Sequence, residues 1–196
     1  ALLAEAPPIE PMFAFIKTPH WERCDAETHE AFAELQEALG DRMEEVELFP
    51  SAGDAWSWHQ TVMDTEMAHN FEREWTEGRD KLSPQLQTLI GRGREVKAVD
   101  YLRARRAIRP MVESFDELFM ERYDAILTPA ALGTAPKGLA TGDPSLCSLW
   151  TLCGMPAISL PLMRGANGLP LGVQLVGRRE FGARLLRTAR WLVEKL

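Results

Sequence analysis

Serine hydroxyls could carry out acyl transfer in this chain if one of them had a neighbouring base and faced backbone N–H donors. The candidates are Ser51, Ser57, Ser83, Ser114, Ser145, Ser148 and Ser159. None of them occurs in a Gly-x-Ser-x-Gly or Ser-x-x-Lys motif. Lys81 is close to Ser83, but a serine directly before Pro84 is typical of a helix cap. We therefore predict no catalytic residue in this chain.

Metal and nucleotide sites are also not predicted. The histidines are His20, His29, His59 and His69, and their spacing matches no paired-ligand motif. The glycine-rich stretch 133–138 lacks the Gly-Lys-Ser/Thr ending of a phosphate loop, and Gly91 and Gly93 do not follow a strand. We expect no metal ion and no cofactor.

Three cysteines, an odd number without metal-site spacing, indicate reduced thiols and a cytoplasmic protein. We interpret Cys147 and Cys153 as small buried thiols of one helix.

Gln174 stands inside an apolar strand and is interpreted as an amide that satisfies buried backbone groups, with orientation of a loop or ligand as the alternative. For Trp150, a pocket wall and a core anchor are equally compatible with the sequence.

The formal charge of -7 argues against nucleic acid or an anionic membrane as the main partner. Four arginines cluster between Arg103 and Arg109, which favours a solvated helix face over a site for an acidic partner. No apolar run reaches the roughly 20 residues that a membrane span requires, and the first residues do not resemble a secretory signal.

Hydrophobic patterning predicts the elements that would position a site. An apolar strand at 12–16, a helix from the cap Asp25 to Leu39 and a strand at 44–49 form a parallel βαβ unit within residues 1–50. Residues 54–122 are predicted to be mostly helical. Met63, Met67, Phe71 and Trp75 form the expected apolar stripe, and Pro110 is expected to kink or break the third helix.

Residues 123–196 predict a second α/β stretch, with strands at 124–128, 157–160 and 172–176 and helices at 144–153 and 181–196. The loop 129–143 follows the carboxyl end of a strand, where open α/β sheets bind ligands. So many apolar strands leave an exposed sheet edge unless another segment covers it. We expect a larger sheet whose other strands are absent, or a homodimer.

Two strand-and-turn motifs are the most specific signals, GMPAISLP at 154–161 and GLPLGVQLVG at 168–177. Together with FAFIKTP, YDAILTPA and LWTLCG, they resemble the C-terminal part of the amidase signature family. The resemblance implies an α/β fold: the C-terminal portion of a single α/β/α layered domain, with a mixed, largely parallel sheet and a helical insertion.

Members of this family hydrolyse carboxylic amides through a nucleophilic serine, a bridging serine and a lysine in a Gly/Ser-rich segment. No position of this chain matches that segment, so the resemblance implies no catalytic residue here and an inactive isolated chain. It places Thr128, Pro129, Ala130, Trp150 and Thr151 at the border of the site for a small-molecule amide. The alternatives are a noncatalytic α/β module that binds a ligand or partner, and the amidase-like subunit of a tRNA-dependent amidotransferase.

Overall fold

The computed structural model describes residues 7, 9–138 and 141–196, and the part of the predicted βαβ unit at residues 1–6 and 8 lies outside them. The strands are β1 (Phe13–Phe15), β2 (Met43–Glu45), β3 (Ala125–Pro129), β4 (Ala157–Arg164) and β5 (Pro170–Val176). The helices are α1 (Ala26–Leu39), α2 (Ala55–Asn70), α3 (Glu72–Glu77), α4 (Pro84–Glu95), α5 (Ala98–Glu121), α6 (Ser145–Cys153) and α7 (Gly182–Lys195).

The strands form one mixed sheet in the order β2-β1-β3-β5-β4. β1 pairs in parallel with β2 and β3, whereas β5 is antiparallel to both β3 and β4. β1 is therefore an interior strand although it comes first in the chain, and the two edges are β2 and β4. The predicted mixed α/β sheet is confirmed.

The βαβ unit forms as the sequence predicts, with two differences at its ends. Helix α1 buries Thr28 and Phe32 and ends at Gly40, whose φ of 52° suits glycine. Asp25 occupies the cap position, but its side chain accepts no capping bond. The carboxylate instead fills the space beside Gly133, where an added Cβ would lie 1.9 Å from Asp25 Oδ2. The predicted strand 44–49 is also too long, since β2 ends at Glu45.

Helices cover both faces of the sheet, which gives the predicted three layers. Alternate strand residues point to opposite faces. On one face, Phe13 and Leu127 pack with Phe32 of α1 and Leu192 of α7. On the other face, the strand residues Ala14, Ile126 and Val176 pack with α2, α5 and α6, including Phe115 of α5 and Trp150 of α6.

The helical stretch is confirmed, but its predicted apolar stripe is wrong. α2 ends at Asn70, and its buried positions are Ala55, Asp64 and Ala68. Met63 and Met67 are only partly buried. Close packing of α4 determines which face of α2 is buried. A Cβ on Gly93 of α4 would lie 1.8 Å from the Asp64 carbonyl oxygen and 2.8 Å from Ala68 Cβ.

Pro110 does not break α5, which is continuous from Ala98 to Glu121. The proline lies on the exposed side of the helix, while Ala104, Met111 and Phe115 form the buried side. The expected break is therefore absent because the missing N–H of Pro110 falls on the face that contacts solvent.

β4 forms the outer edge of the sheet. It pairs with β5, with a register shift between Leu160 and Met163 around the exposed Pro161. Ala157 and Ser159 are exposed, and no described strand lies beyond them. The edge therefore presents unpaired backbone groups, as the sequence predicts for one side of the sheet.

Gly93→Ala should destabilise the protein by about 1–3 kcal/mol, because the added methyl overlaps the backbone of α2. Gly91→Ala in the same helix is the matched control. Its Cβ would meet only the tip of Trp75, at 3.9 Å, so higher helix propensity should stabilise by up to about 1 kcal/mol. Urea unfolding followed by circular dichroism measures both; equal effects of the two variants would contradict the packing of α4 on α2.

Candidate functional site

The carboxyl end of β3 opens into a loop that is fixed near both of its ends. This loop spans residues 130–144, and Leu139 and Ala140 within it lie outside the described residues. Near its start, the Leu132 carbonyl accepts the Asp25 N–H at 2.8 Å and the Thr28 hydroxyl at 3.1 Å. Near its end, Asp143 forms an ion pair with Arg23 and accepts the Ser145 N–H at 2.8 Å. The predicted loop is thus held against the start of α1.

Thr128, Pro129 and Ala130 lie where β3 meets β5. Thr128 is opposite Gln174, Pro129 is opposite Val173, and the Ala130 N–H donates to the Gly172 carbonyl at 2.9 Å. Thr128 is completely buried, and its hydroxyl has no hydrogen-bond partner among the described residues. The strand predicted at 124–128 thus continues to Pro129, and a buried polar atom near its end is left unpaired among the described residues.

Four side chains form what we call the polar cluster: Thr128, Cys147, Ser159 and Gln174. Gln174 lies opposite Thr128 on one side and opposite Ser159 of β4 on the other, so the three share one face of the sheet. Gln174 Nε2 donates to Cys147 Sγ at 3.6 Å, and that thiol donates to the Ala130 carbonyl at 3.4 Å. The cluster runs across β3 and β5 to the open edge at β4.

Gln174 is only 7 % exposed, and its Oε1 has no partner in the part of the chain that the structure describes. A buried acceptor without a partner costs about 1–3 kcal/mol. The expected role for Gln174, satisfying backbone groups, does not match its side-chain hydrogen bond, which goes to a thiol. The Gln174 amide oxygen is therefore a buried acceptor that is left unpaired among the described residues.

Gly172 makes room for this arrangement. A Cβ at this position would lie 2.8 Å from Ser159 Oγ and 2.9 Å from Ala130 Cβ. Glycine is needed here because the β4 side chain and the turn after β3 both approach the β5 backbone.

Trp150 and Thr151 point in different directions. Trp150 is 1 % exposed and packs against Phe115 with ring centroids 5.3 Å apart, so the structure shows the core anchor rather than an exposed wall. Thr151 is exposed and donates to the Cys147 carbonyl at 3.0 Å. The structure thus places the Ala130 carbonyl against Cys147, keeps Thr151 one turn of α6 away from Cys147 and turns Trp150 into the core.

A separate small cleft at the start of α6 is lined by His20 and Ser145. Its volume is only about 10 Å³, and Trp56 and Leu149 form part of its wall. Partial burial, followed by the charge of Arg23, lowers the pKa of His20. Among the described residues, no serine forms a hydrogen bond with a histidine or a lysine, so this cleft does not assemble an activated nucleophile.

Sequence reasoning did not place Cys147 or Gln174 among the site residues, because each has an ordinary role in isolation, although orientation of a ligand was the alternative interpretation of Gln174. Cys153 is buried as expected, whereas Cys147 is only partly buried. The signal that could have found the pair is the alternation of β5. It fixes which residues face α6 once β5 is known to run antiparallel to β3.

Within the described residues, no group of three or more His, Cys, Asp or Glu side chains could hold a metal ion. None of the helices in that part of the chain has the length and apolar character needed to cross a membrane.

Two curated proteins are similar to this chain in sequence. One is a component of the glutamyl-tRNA(Gln) amidotransferase of Agathobacter rectalis, 45% identical over 85 residues, which cover 39% of this chain and 17% of that protein. The other is a fatty acid amide hydrolase of Medicago truncatula, 30% identical over 176 residues, which cover 83% of this chain and 28% of that protein.

A crystal structure of an amidase shares the fold, with a TM-score of 0.84 at 23% identity, over 98% of this chain and 47% of that one. The chain therefore spans less than half the length of these relatives. The Amidase family profile matches residues 8–186. The sheet, its helical layers and this match together show that the chain belongs to the amidase family.

Proposed function

We propose that this chain is the C-terminal part of an amide-hydrolysing enzyme and supplies strands, helical cover and one wall of the substrate site. The nucleophilic serine and its base come from a further polypeptide segment. The observation that carries the proposal is the outer edge of β4, which ends the sheet with exposed residues at Ala157 and Ser159. A strand added at this edge would lie directly beside the polar cluster.

The substrate in this proposal is a small-molecule amide. Thr128, Pro129 and Ala130 form the part of this wall at the end of β3, and Thr151 contributes from α6. Trp150 supports the wall from behind through its contact with Phe115. The three free cysteines support a reducing compartment, which we propose to be the cytoplasm.

A component of an amidotransferase is the second candidate, supported by the 45% identity to such a protein. The formal charge of -7 argues against a direct role in binding tRNA. The two candidates differ in the fate of the ammonia, which a hydrolase releases and an amidotransferase passes on to a second substrate. A requirement for glutamyl-tRNA in the assay of the completed enzyme would favour the amidotransferase.

The isolated 196-residue chain should not hydrolyse aryl or aliphatic amides, since its described serines lack an adjacent base. Release of ammonia or an aromatic amine, with and without a serine-directed inhibitor, measures this. Hydrolysis that is lost on treatment with the inhibitor would place the nucleophile in this chain and contradict the proposal.

The isolated chain should also self-associate through β4, because unpaired strand edges pair with one another. Ala157→Lys places a charge on the edge and should shift the chain towards the monomer in sedimentation velocity. Ala183→Lys, at an exposed position of α7, is the matched control and should leave the association unchanged. A folded wild-type chain that stays monomeric at all concentrations would show that β4 is not an interaction edge.

A further inference from the structure

The turn between β4 and β5 contains the dipeptide Asn167-Gly168, and both residues are exposed. The Gly168 N–H closes the turn by donating to the Gly165 carbonyl at 2.9 Å. Gly168 has a φ of 79°, a conformation that favours glycine. A Cβ at Gly168 would meet no described atom within 4 Å beyond its chain neighbours. The peptide bond after Asn167 is therefore uncrowded and reachable from solvent.

Two hydrogen bonds nevertheless hold the side chain of Asn167. Its Oδ1 accepts the Leu169 N–H at 3.0 Å, which identifies the oxygen of the amide. Its Nδ2 donates at 2.8 Å to Thr134 Oγ1, on the loop after β3. We call residues 165–169 the hairpin tip; through Asn167 the hairpin tip is bonded to the loop that borders the candidate site.

Close packing reinforces this contact. Glu27 Oε2 of α1 accepts the Ala166 N–H at 2.8 Å. A Cβ at Gly165 would lie 2.6 Å from Thr134 Cγ2 and 2.9 Å from Glu27 Oε2. Because the hairpin tip fits so closely, a changed backbone within it cannot keep the same contacts.

We propose that Asn167 is a site of spontaneous deamidation, that its hydrogen bond to Thr134 slows the reaction, and that the product releases the hairpin tip from the loop. The backbone nitrogen of Gly168 attacks Asn167 Cγ, so that a new N–C bond closes a succinimide ring. The Cγ–Nδ2 bond breaks, and Nδ2 leaves as ammonia with the amide proton of Gly168. Water then opens the ring at either carbonyl carbon, which gives aspartate or isoaspartate.

The contacts of the native turn oppose this reaction. Attack displaces Cγ from the position in which Oδ1 and Nδ2 of Asn167 make their two hydrogen bonds. The nitrogen of Gly168 must also lose the proton that it donates to the Gly165 carbonyl. The reaction therefore proceeds from an opened turn, and the strength of these bonds sets how often the turn opens.

The products cannot keep the native contact with Thr134. A carboxylate has no N–H to donate to Thr134 Oγ1, and it places a negative charge close to Glu27. In isoaspartate the main chain runs through the former side chain, which lengthens the turn by one carbon atom. The loop segment 130–138 should therefore lose a contact that restrains it.

The experiment is incubation of the native chain at mildly alkaline pH, followed by peptide mapping that separates the amide, aspartate and isoaspartate forms. Asn167 should convert, and its conversion should be faster in denaturant. Asn70, exposed at the end of α2 and followed by the bulky Phe71, is the internal control and should remain an amide. Conversion of Asn70 at the same rate, or none at Asn167 in the native chain, would overturn the proposal.

Variants of Thr134 test the restraint on the reaction. Thr134→Val removes the acceptor oxygen and should speed native conversion roughly two- to tenfold, the effect of one hydrogen bond. Thr134→Ser keeps that oxygen and should react like the wild type. Thr141→Val, at an exposed position of the same loop, is the matched control. Equal native rates for the valine and serine variants of Thr134 would contradict the restraint.

Hydrogen exchange tests the release of the hairpin tip. The purified isoaspartate form should exchange faster than the amide form in peptides from 130–138, while peptides from α5 remain unchanged. Unaltered exchange at 130–138 would overturn the release. Deamidation yields at most one ammonia for each chain, and it is read from peptide mass, so its outcome is independent of the hydrolysis assay that tests the proposed function.

Discussion

The pairing of β3 with two different partners is the constraint on which the whole sheet depends. β3 is parallel to β1 on one side and antiparallel to β5 on the other, and all five of its residues are buried. It thereby joins the βαβ unit at the start of the chain to the hairpin at its end. Without this strand the two apolar layers would have no common sheet on which to pack.

The same pairing creates the candidate site. The antiparallel register places Thr128 opposite Gln174, and β4 then places Ser159 opposite Gln174 from the other side. α6 adds Cys147 above this row of residues. The site is therefore made by long-range register, and it ends at β4, whose outer side has no partner among the described strands.

The sequence predicted the parts of this fold that are encoded locally. The helices predicted from Asp25 to Leu39 and at 144–153 are such features, because a few consecutive residues specify them, as Gly154 with its φ of 63° does for the end of α6. The buried face of α2 could not be predicted, since it depends on Gly93 of a different helix approaching Asp64. The contact between Gln174 and Cys147 likewise needs the register of two strands, which no local pattern contains.

Two sets of contacts anchor the loop after β3, and they affect how members of such a family can diverge in sequence. Leu132 is held by Asp25 and Thr28, and Asp143 is held by Arg23, so one short stretch of chain at the start of α1 fixes both ends. Closing a longer loop between fixed ends costs little, about 0.6 kcal/mol for each doubling of length. Insertions and deletions between the anchors can therefore reshape the surface beside the site while β3 and α6 keep their positions, which separates the evolution of selectivity from that of stability.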